Sequence, residues 1–495
     1  MTLKNVSLVC FSAVIGISLL TGCGGVGLTG GSPTPSPTPI AGASPTPTPG
    51  TIASVQHIVF MMQENRSFDA YFGKMNDHRA SLGLGRDADD IENNFTVIAD
   101  DNTPVPNFHL GTSCIFNTSA AWTESHGDVN KFGTGDSDPV LMNGFLHTAG
   151  SQAQNDGDAD TRGVRVMGFY TVADLPSPYA LAAQFATSDR FYAPAPVQTE
   201  DNRLYAMAAT SQGLAHPPQD TNTQLTSKTI FQLLDAAGIS WKIYSVDRQP
   251  DGKLISTLRN FQPYGATKED HIVPIAQFQT DLDNNTLPQF SYIEPGFASG
   301  RDEHPGATDN LQTGTNFIAS LFSAVRNSSS WSSTVFFQTF DEGGGLFDHV
   351  SPMIDGRPIV ELSVGPTGQS VGPGIYSTDS AIMHVPNPDG IQPRDLLPAD
   401  RPGDFTRTGF RVPLIIVSPF AKQHFVSHTP MDYTAILGFV EERFGLPHLN
   451  NRDAAQPSMQ EFFDFANSPS LNTSVPSQPQ NIPCNANLAS QAAIP

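Results

Sequence analysis

The sequence predicts an α/β fold: an α/β/α sandwich with a central, mainly parallel sheet and long loop insertions. Three observations point there. Mostly apolar runs recur at residues 58–62, 335–340 and 412–417, without the alternation of a half-exposed strand, as expected for strands buried on both faces. Segments of helical periodicity lie among them, two of which stop at a glycine. Two of the apolar runs also break off into acidic polar turns, at the sheet edge where open α/β folds place ligands.

Taken in order, the chain begins with an address rather than with fold. Lys4 precedes an apolar stretch over residues 6–20 that is too short to span a bilayer comfortably. Leu20-Thr21-Gly22-Cys23 then resembles the lipobox of bacterial lipoproteins. That resemblance implies a signal peptide over residues 1–22 and a lipid on Cys23. It implies a chain anchored to the cell envelope, and Gly24 in place of Asp favours the outer membrane. Residues 23–51 read as a Pro/Ser/Thr/Gly-rich tether of polyproline character. The main domain is expected over 52–465 and a surface tail over 466–495.

Residues 58–63 form the first buried strand. Glu64-Asn65-Arg66-Ser67 makes the turn, and Phe68, Tyr71 and Phe72 begin a helix that Asn65 or Ser67 can cap. Residues 74–165 are polar and aperiodic, and read as an irregular excursion over a site. Leu175, Tyr179, Leu181 and Phe185 predict a helix, and residues 228–237 another that ends at Gly238. A strand follows at 239–244, a helix at 317–325 and a strand at 334–340. A further strand at 412–417 and a helix over 433–444, stopped by Gly445, complete the core.

The 495 residues carry a net charge of −22, so a polyanionic partner such as nucleic acid is repelled. Gly 42 and Pro 41 accord with many turns. Of 4 cysteines, Cys10 lies in the leader and Cys23 takes lipid. The remaining two, Cys114 and Cys484, are expected to pair in an oxidising compartment.

The chemistry is expected where two strands end. Glu64 and Asn65 follow the first, and Asp341 and Glu342 follow the strand at 334–340, with three glycines behind them. Four such oxygen donors suit one hard divalent cation; calcium, magnesium or manganese is favoured.

These pieces carry a resemblance. Gln56-His57-Ile58-Val59 with Glu64-Asn65-Arg66-Ser67-Phe68-Asp69 resembles the opening signature of the bacterial phospholipase C and acid phosphatase phosphoesterase family, of the alkaline-phosphatase-like superfamily. Met167-Gly168-Phe169-Tyr170, Thr199 with Asn202-Arg203-Leu204-Tyr205, Glu303-His304-Pro305, Asp341-Glu342, Phe347-Asp348-His349 and Arg411-Val412-Pro413 follow in the family's order. The resemblance implies an alkaline-phosphatase-like fold and hydrolysis of a phosphomonoester or phospholipid. It assigns metal binding to Glu64, Asn65, Thr199, Asp341 and Glu342, and makes Thr199 a nucleophile that forms a phospho-enzyme. His304 and His349 become candidates for phosphate contact or leaving-group protonation; His126, Asp128 and Asn202 are weaker substrate-binding candidates.

The family's nucleophile loop reads Gly-Pro-Thr/Ser, one residue, then Pro-Asn. This chain has Val197-Gln198-Thr199-Glu200-Asp201-Asn202, which sets two acids beside the hydroxyl where a phosphate would repel them. The alternative reading is therefore a catalytically impaired, phosphoester- or surface-binding lipoprotein. A sulfatase-like reading lacks its Cys/Ser-x-Pro/Ala-x-Arg signature.

Overall fold

The computed structural model describes residues 50–487 apart from 135–137, 219–224, 358, 365–369, 377–389, 468, 472 and 475. The leader, Cys23 and the tether through residue 49 lie outside the described residues. No helix among those described is long and apolar enough to cross a membrane.

A sheet of eight strands organises the molecule. In chain order these are β1 (His57–Gln63), β2 (Ala186–Ser188), β3 (Trp241–Ser245), β4 (Ile272–Pro274), β5 (Phe290–Glu294), β6 (Thr334–Phe340), β7 (Leu414–Val417) and β8 (Phe425–Ser427). Across the sheet they run β8-β2-β7-β6-β1-β5-β3-β4. Only β7 opposes its neighbours β6 and β2; the other pairings are parallel. Parallel neighbours need crossovers, and helices flanking the sheet supply several of them in the α/β sandwich.

Strand β1 sits in the middle, and the register explains its composition. It pairs β5 on one side and β6 on the other, so neither edge is open, and its side chains are buried on both faces from Ile58 onward. Ile58, Val59, Phe60, Met61 and Met62 are all fully buried. Each such side chain contributes about 1.5–3 kcal/mol of transfer free energy. Phe60 meets Tyr292 edge-on at 5.3 Å.

The helices named here are α1 (Phe68–Phe72), α2 (Trp122–Val129), α3 (Phe145–Asp156), α4 (Pro176–Gln184), α5 (Thr199–Ala208), α6 (Ile230–Ala237), α7 (Leu311–Asn327) and α8 (Thr434–Phe444). Ser67 caps α1 through its hydroxyl, and Thr229 forms a reciprocal capping box on α6. Gly238 and Gly445 adopt the left-handed conformation at the ends of α6 and α8, as their positions in the sequence imply.

Two expectations change. The excursion at 74–165 contains α2, α3 and a helix at Met75–Ser81. Helix α2 reads Trp-Thr-Glu-Ser-His-Gly-Asp-Val, with no repeating apolar face, so tertiary packing of Trp122 and Val129 fixes it. Helix α7 is longer than the 317–325 segment, because it starts six residues earlier, at Leu311, where the Asn310 side chain caps it.

Cys114 and Cys484 form a disulfide across 370 residues, with Cα atoms 4.8 Å apart. It fastens the tail beside Ser113 and Thr112, both of which bond Pro483 O. Closing so long a loop restricts the unfolded chain, so reduction costs roughly 2–5 kcal/mol of stability. Denaturant titration with and without a thiol reductant measures this; coincident midpoints would contradict it.

Candidate active site

Parallel pairing of β1 and β6 in the register Gln63↔Phe340 makes Glu64 and Asp341 the next residues on adjacent strands. Past that point the backbone must turn sharply. Asn65 takes a left-handed φ of 59°, which Asn tolerates better than most residues. Its N–H donates to Asp341 Oδ1 at 3.0 Å, and Glu342 N–H donates to the same oxygen at 2.8 Å. Gly344 lies directly beneath, with φ 68°. A Cβ there would come within 2.6 Å of Asn65 O, so this corner requires glycine.

Helix α5 brings the hydroxyl. Thr199 opens the helix, and its Oγ1 donates to Glu64 Oε2 at 3.1 Å and lies 3.4 Å from Asn65 Oδ1. One helical turn later, on the same face, Arg203 is fully buried. Its Nε and Nη2 bond Glu64 Oε1 at 3.1 and 2.8 Å, and Nη2 reaches Met62 O and Gln63 O. Asp341 Oδ2 lies 3.5 Å from Nη2 and Glu294 Oε2 lies 3.6 Å from Nη1. One guanidinium thus fixes the ends of β1, β5 and β6. Sequence reasoning missed this residue's role; the signal was its spacing from Thr199.

The loop before α7 supplies His304. Glu64 N–H donates to Asp302 O at 2.8 Å. Glu303 has a left-handed φ of 70°, a costly conformation for glutamate, and buried Arg66 holds its carbonyl through Nε at 2.9 Å. This sets the next side chain. His304 Nδ1–H donates to Pro305 O at 2.7 Å, and Nε2 accepts from the Asn65 amide at 3.2 Å. Burial lowers the His304 pKa from its usual value.

Glu64, Asn65, Thr199, Arg203, His304 and Glu342 line a cleft of about 1080 Å³, with Asp341 just behind them. The charge in this corner is unbalanced. Burial, and then the Asp341 charge, push the carboxyls of both Glu64 and Glu342 well above the usual range. Asp341 Oδ2 is buried without a hydrogen bond among the described residues. Oxygens sharing one hard cation lie about 3 Å apart. The separations of Thr199 Oγ1 from Glu64 and Asn65 fit that spacing, and the donor set is oxygen throughout.

His349 is placed elsewhere. Its Nδ1 faces Asp69 Oδ2 at 2.7 Å and its Nε2 faces Asp89 Oδ1 at 3.1 Å, beside a second cavity lined by Lys74 and Asp90. Burial opposes its charge, but the two carboxylates win and raise its pKa to about 10. Asp69, Asp348 and His349 present ligand-type atoms within 4.8 Å of one another. Arg411 already neutralises that group, bonding Asp348 at 2.6 Å and Asp69 at 2.9 Å. Ser67 joins the two regions by donating to Phe347 O at 2.8 Å.

The weaker candidates also lie outside the cleft. His126 is buried in α2, with Nδ1 bonded to Trp122 O at 2.6 Å, and burial lowers its pKa to about 3. Asp128 is buried and accepts from Thr148. The Asn202 carboxamide donates to Val197 O at 2.7 Å and Ala195 O at 3.3 Å, shaping the turn in which the usual prolines are missing. Of the two acids beside Thr199, Glu200 lines the cleft. Asp201 is buried and burial pushes its pKa well above the usual value, so only one of them brings charge to the site.

Residues 55–447 match the Phosphoesterase family. Phospholipase C B of Mycobacterium tuberculosis is 29% identical over 460 residues, covering 85% of this chain and 80% of that protein. Non-hemolytic phospholipase C of Pseudomonas aeruginosa is 28% identical over 483 residues, covering 90% of this chain and 62% of that protein. Among solved structures, a protein in the alkaline phosphatase superfamily from Vibrio parahaemolyticus aligns at 13% identity and a TM-score of 0.31, covering 59% of this chain and 66% of that one. The family match takes in both acidic strand ends, the Thr199 helix and the His304 loop, and this chain belongs to the Phosphoesterase family as a phosphoric ester hydrolase.

Proposed function

We propose that the chain hydrolyses phosphoesters through Thr199 as nucleophile, with one divalent cation held by Glu64, Asn65, Thr199, Asp341 and Glu342. The observation that carries this is the Thr199 hydroxyl, 3.1 Å from the Glu64 carboxylate and 3.4 Å from the Asn65 carbonyl at a helix start. A bound cation lowers the pKa of that hydroxyl and offsets charge on the phosphoryl group. Thr199 opens α5, and a helix start favours an anion. Thr199 Oγ1 attacks phosphorus, the bond to the substrate alcohol breaks, and a phospho-threonine forms. Water then displaces the threonine and frees phosphate from a monoester, or the phosphorylated headgroup from a phospholipid. His304 lines the cleft, and its unprotonated Nε2 takes up the proton that Thr199 loses, delivers it to the departing alcohol, and then takes one from the attacking water.

The ion of choice is calcium, magnesium or manganese, in keeping with oxygen donors. The substrate is a phosphomonoester or a phospholipid. Residues 52–465 act as the catalytic domain and 466–495 as its tail, with a lipid on Cys23 and the tether over 23–51 holding the enzyme at the cell envelope, on the outer membrane and in the periplasm or at the cell surface. Chelation followed by add-back tests the metal requirement on p-nitrophenyl phosphate. Turnover is expected to fall to background after chelation and to return with one of the three ions. Undiminished turnover in metal-stripped protein would contradict the proposal, and metal uptake without turnover would make the chain a binding protein instead.

A further inference from the structure

A phosphoryl group fills only a small part of the Thr199 cleft, whose volume is about 1080 Å³; the rest is left for a group esterified to phosphorus, the released alcohol of a monoester or the retained headgroup of a phospholipid. Along it, carboxamide and hydroxyl side chains outnumber apolar ones. Gln152, Gln249, Asn260 and Gln262 are spread over its wall; Gln152 and Gln262 also donate to Asp156 Oδ2 at 2.7 Å and to Arg259 O at 2.6 Å. A carboxamide both donates and accepts, as an alcohol hydroxyl does, so such a wall matches a partner bearing several hydroxyls. Charge is the smaller part of the outer wall. Arg259 is already clasped by Glu269 at 2.7 and 2.6 Å, and Lys253 lines the cleft together with Asp251, which accepts from its backbone N–H at 2.9 Å. A quaternary ammonium needs an aromatic cage. Among the described residues Phe297 is the only aromatic carbon ring lining the cleft, and the Arg203 guanidinium covers it at 5.1 Å from the ring centre. An acyl chain needs a continuous apolar channel, which scattered apolar residues on an amide-rich wall do not make.

We infer that the cleft selects phosphoesters of a polyhydroxylated alcohol, a sugar or cyclic polyol, over those of choline or a simple alkyl alcohol. The inference rests on the phosphoesterase reading of Thr199. A polyol phosphate can arrive free in solution or as the headgroup of a lipid, and the chemistry recognised is the same.

The test compares kcat/KM for glucose 6-phosphate, inositol monophosphate, hexyl phosphate, phosphocholine and p-nitrophenyl phosphate. Vesicles of phosphatidylcholine with and without phosphatidylinositol form the lipid arm. At least one polyol ester is expected to exceed hexyl phosphate and phosphocholine, or phosphatidylinositol to exceed phosphatidylcholine, by at least about tenfold, because a site built for hydroxyls rejects analogues lacking them. The arm that responds identifies the source. Asn260→Leu and Gln249→Leu, each measured separately, are expected to lower the ratio of polyol ester to p-nitrophenyl phosphate turnover by about tenfold. Equal or better turnover of the alkyl or choline esters, or an unchanged ratio in both variants, overturns the inference while leaving the hydrolase reading intact. Turnover of no ester at all, p-nitrophenyl phosphate included, overturns both.

Discussion

Thr199→Ala is expected to lower phosphoester turnover by at least about a thousandfold, since it removes the attacking atom rather than a supporting contact. The Thr199 side chain is only partly buried at the start of α5, so the alanine variant should fold. It also removes one oxygen from the set around Glu64 and Asn65, and its affinity for the cation is expected to fall as well. Thr199→Ser keeps the hydroxyl on the same helix start and should retain measurable turnover. Steady-state kinetics on p-nitrophenyl phosphate decide it: an alanine variant within tenfold of the native enzyme would remove Thr199 from the mechanism.

Arg411→Met is expected to be the most damaging single change to stability, at about 3–5 kcal/mol. Arg411 is fully buried and contacts Asp348, Asp69 and Asp89, while His349 is held between Asp69 and Asp89. Methionine fills much of the volume but leaves those carboxylates with too little positive charge. The same group gives stability a pH dependence. The folded pKa of His349 is raised to about 10 from a free value of 6.5 by Asp69 and Asp89. Protonation is therefore tighter in the folded state, so its contribution is complete below about pH 6.5 and is lost as pH rises through about 10. Urea midpoints for native and Arg411→Met protein measure the first effect, and native midpoints between pH 6 and 10 the second. A variant as stable as native, or a midpoint that rises across that pH range, would contradict this account.

The fold was legible wherever burial leaves a pattern. The continuous apolar run of β1 announced a central strand, and β6 was read to the residue because nothing in Thr334–Phe340 faces water. The two acidic corners were legible because each follows such a run. Their adjacency was not, since it depends on the register Gln63↔Phe340, set by long-range pairing. Arg203 and Arg411 stood in the motifs, but their roles were not legible because a fully buried arginine runs against its usual exposure. Only the carboxylates assembled around them explain their burial. The same holds for His349: Phe347-Asp348-His349 stood out as a motif, but its partner Asp69 lies 280 residues earlier. Loss of the nucleophile-loop prolines looked damaging in sequence, whereas the Asn202 amide supplies part of the restraint by binding Ala195 O and Val197 O.

The most direct test is to mix enzyme with a phosphomonoester, stop the reaction in acid within the first turnovers, and map the modified peptide by mass spectrometry. A single phosphoryl group on Thr199, absent without substrate and absent in Thr199→Ala, is the predicted result. Turnover at the native rate with Thr199 unmodified, or with the phosphoryl group on another side chain, would contradict it.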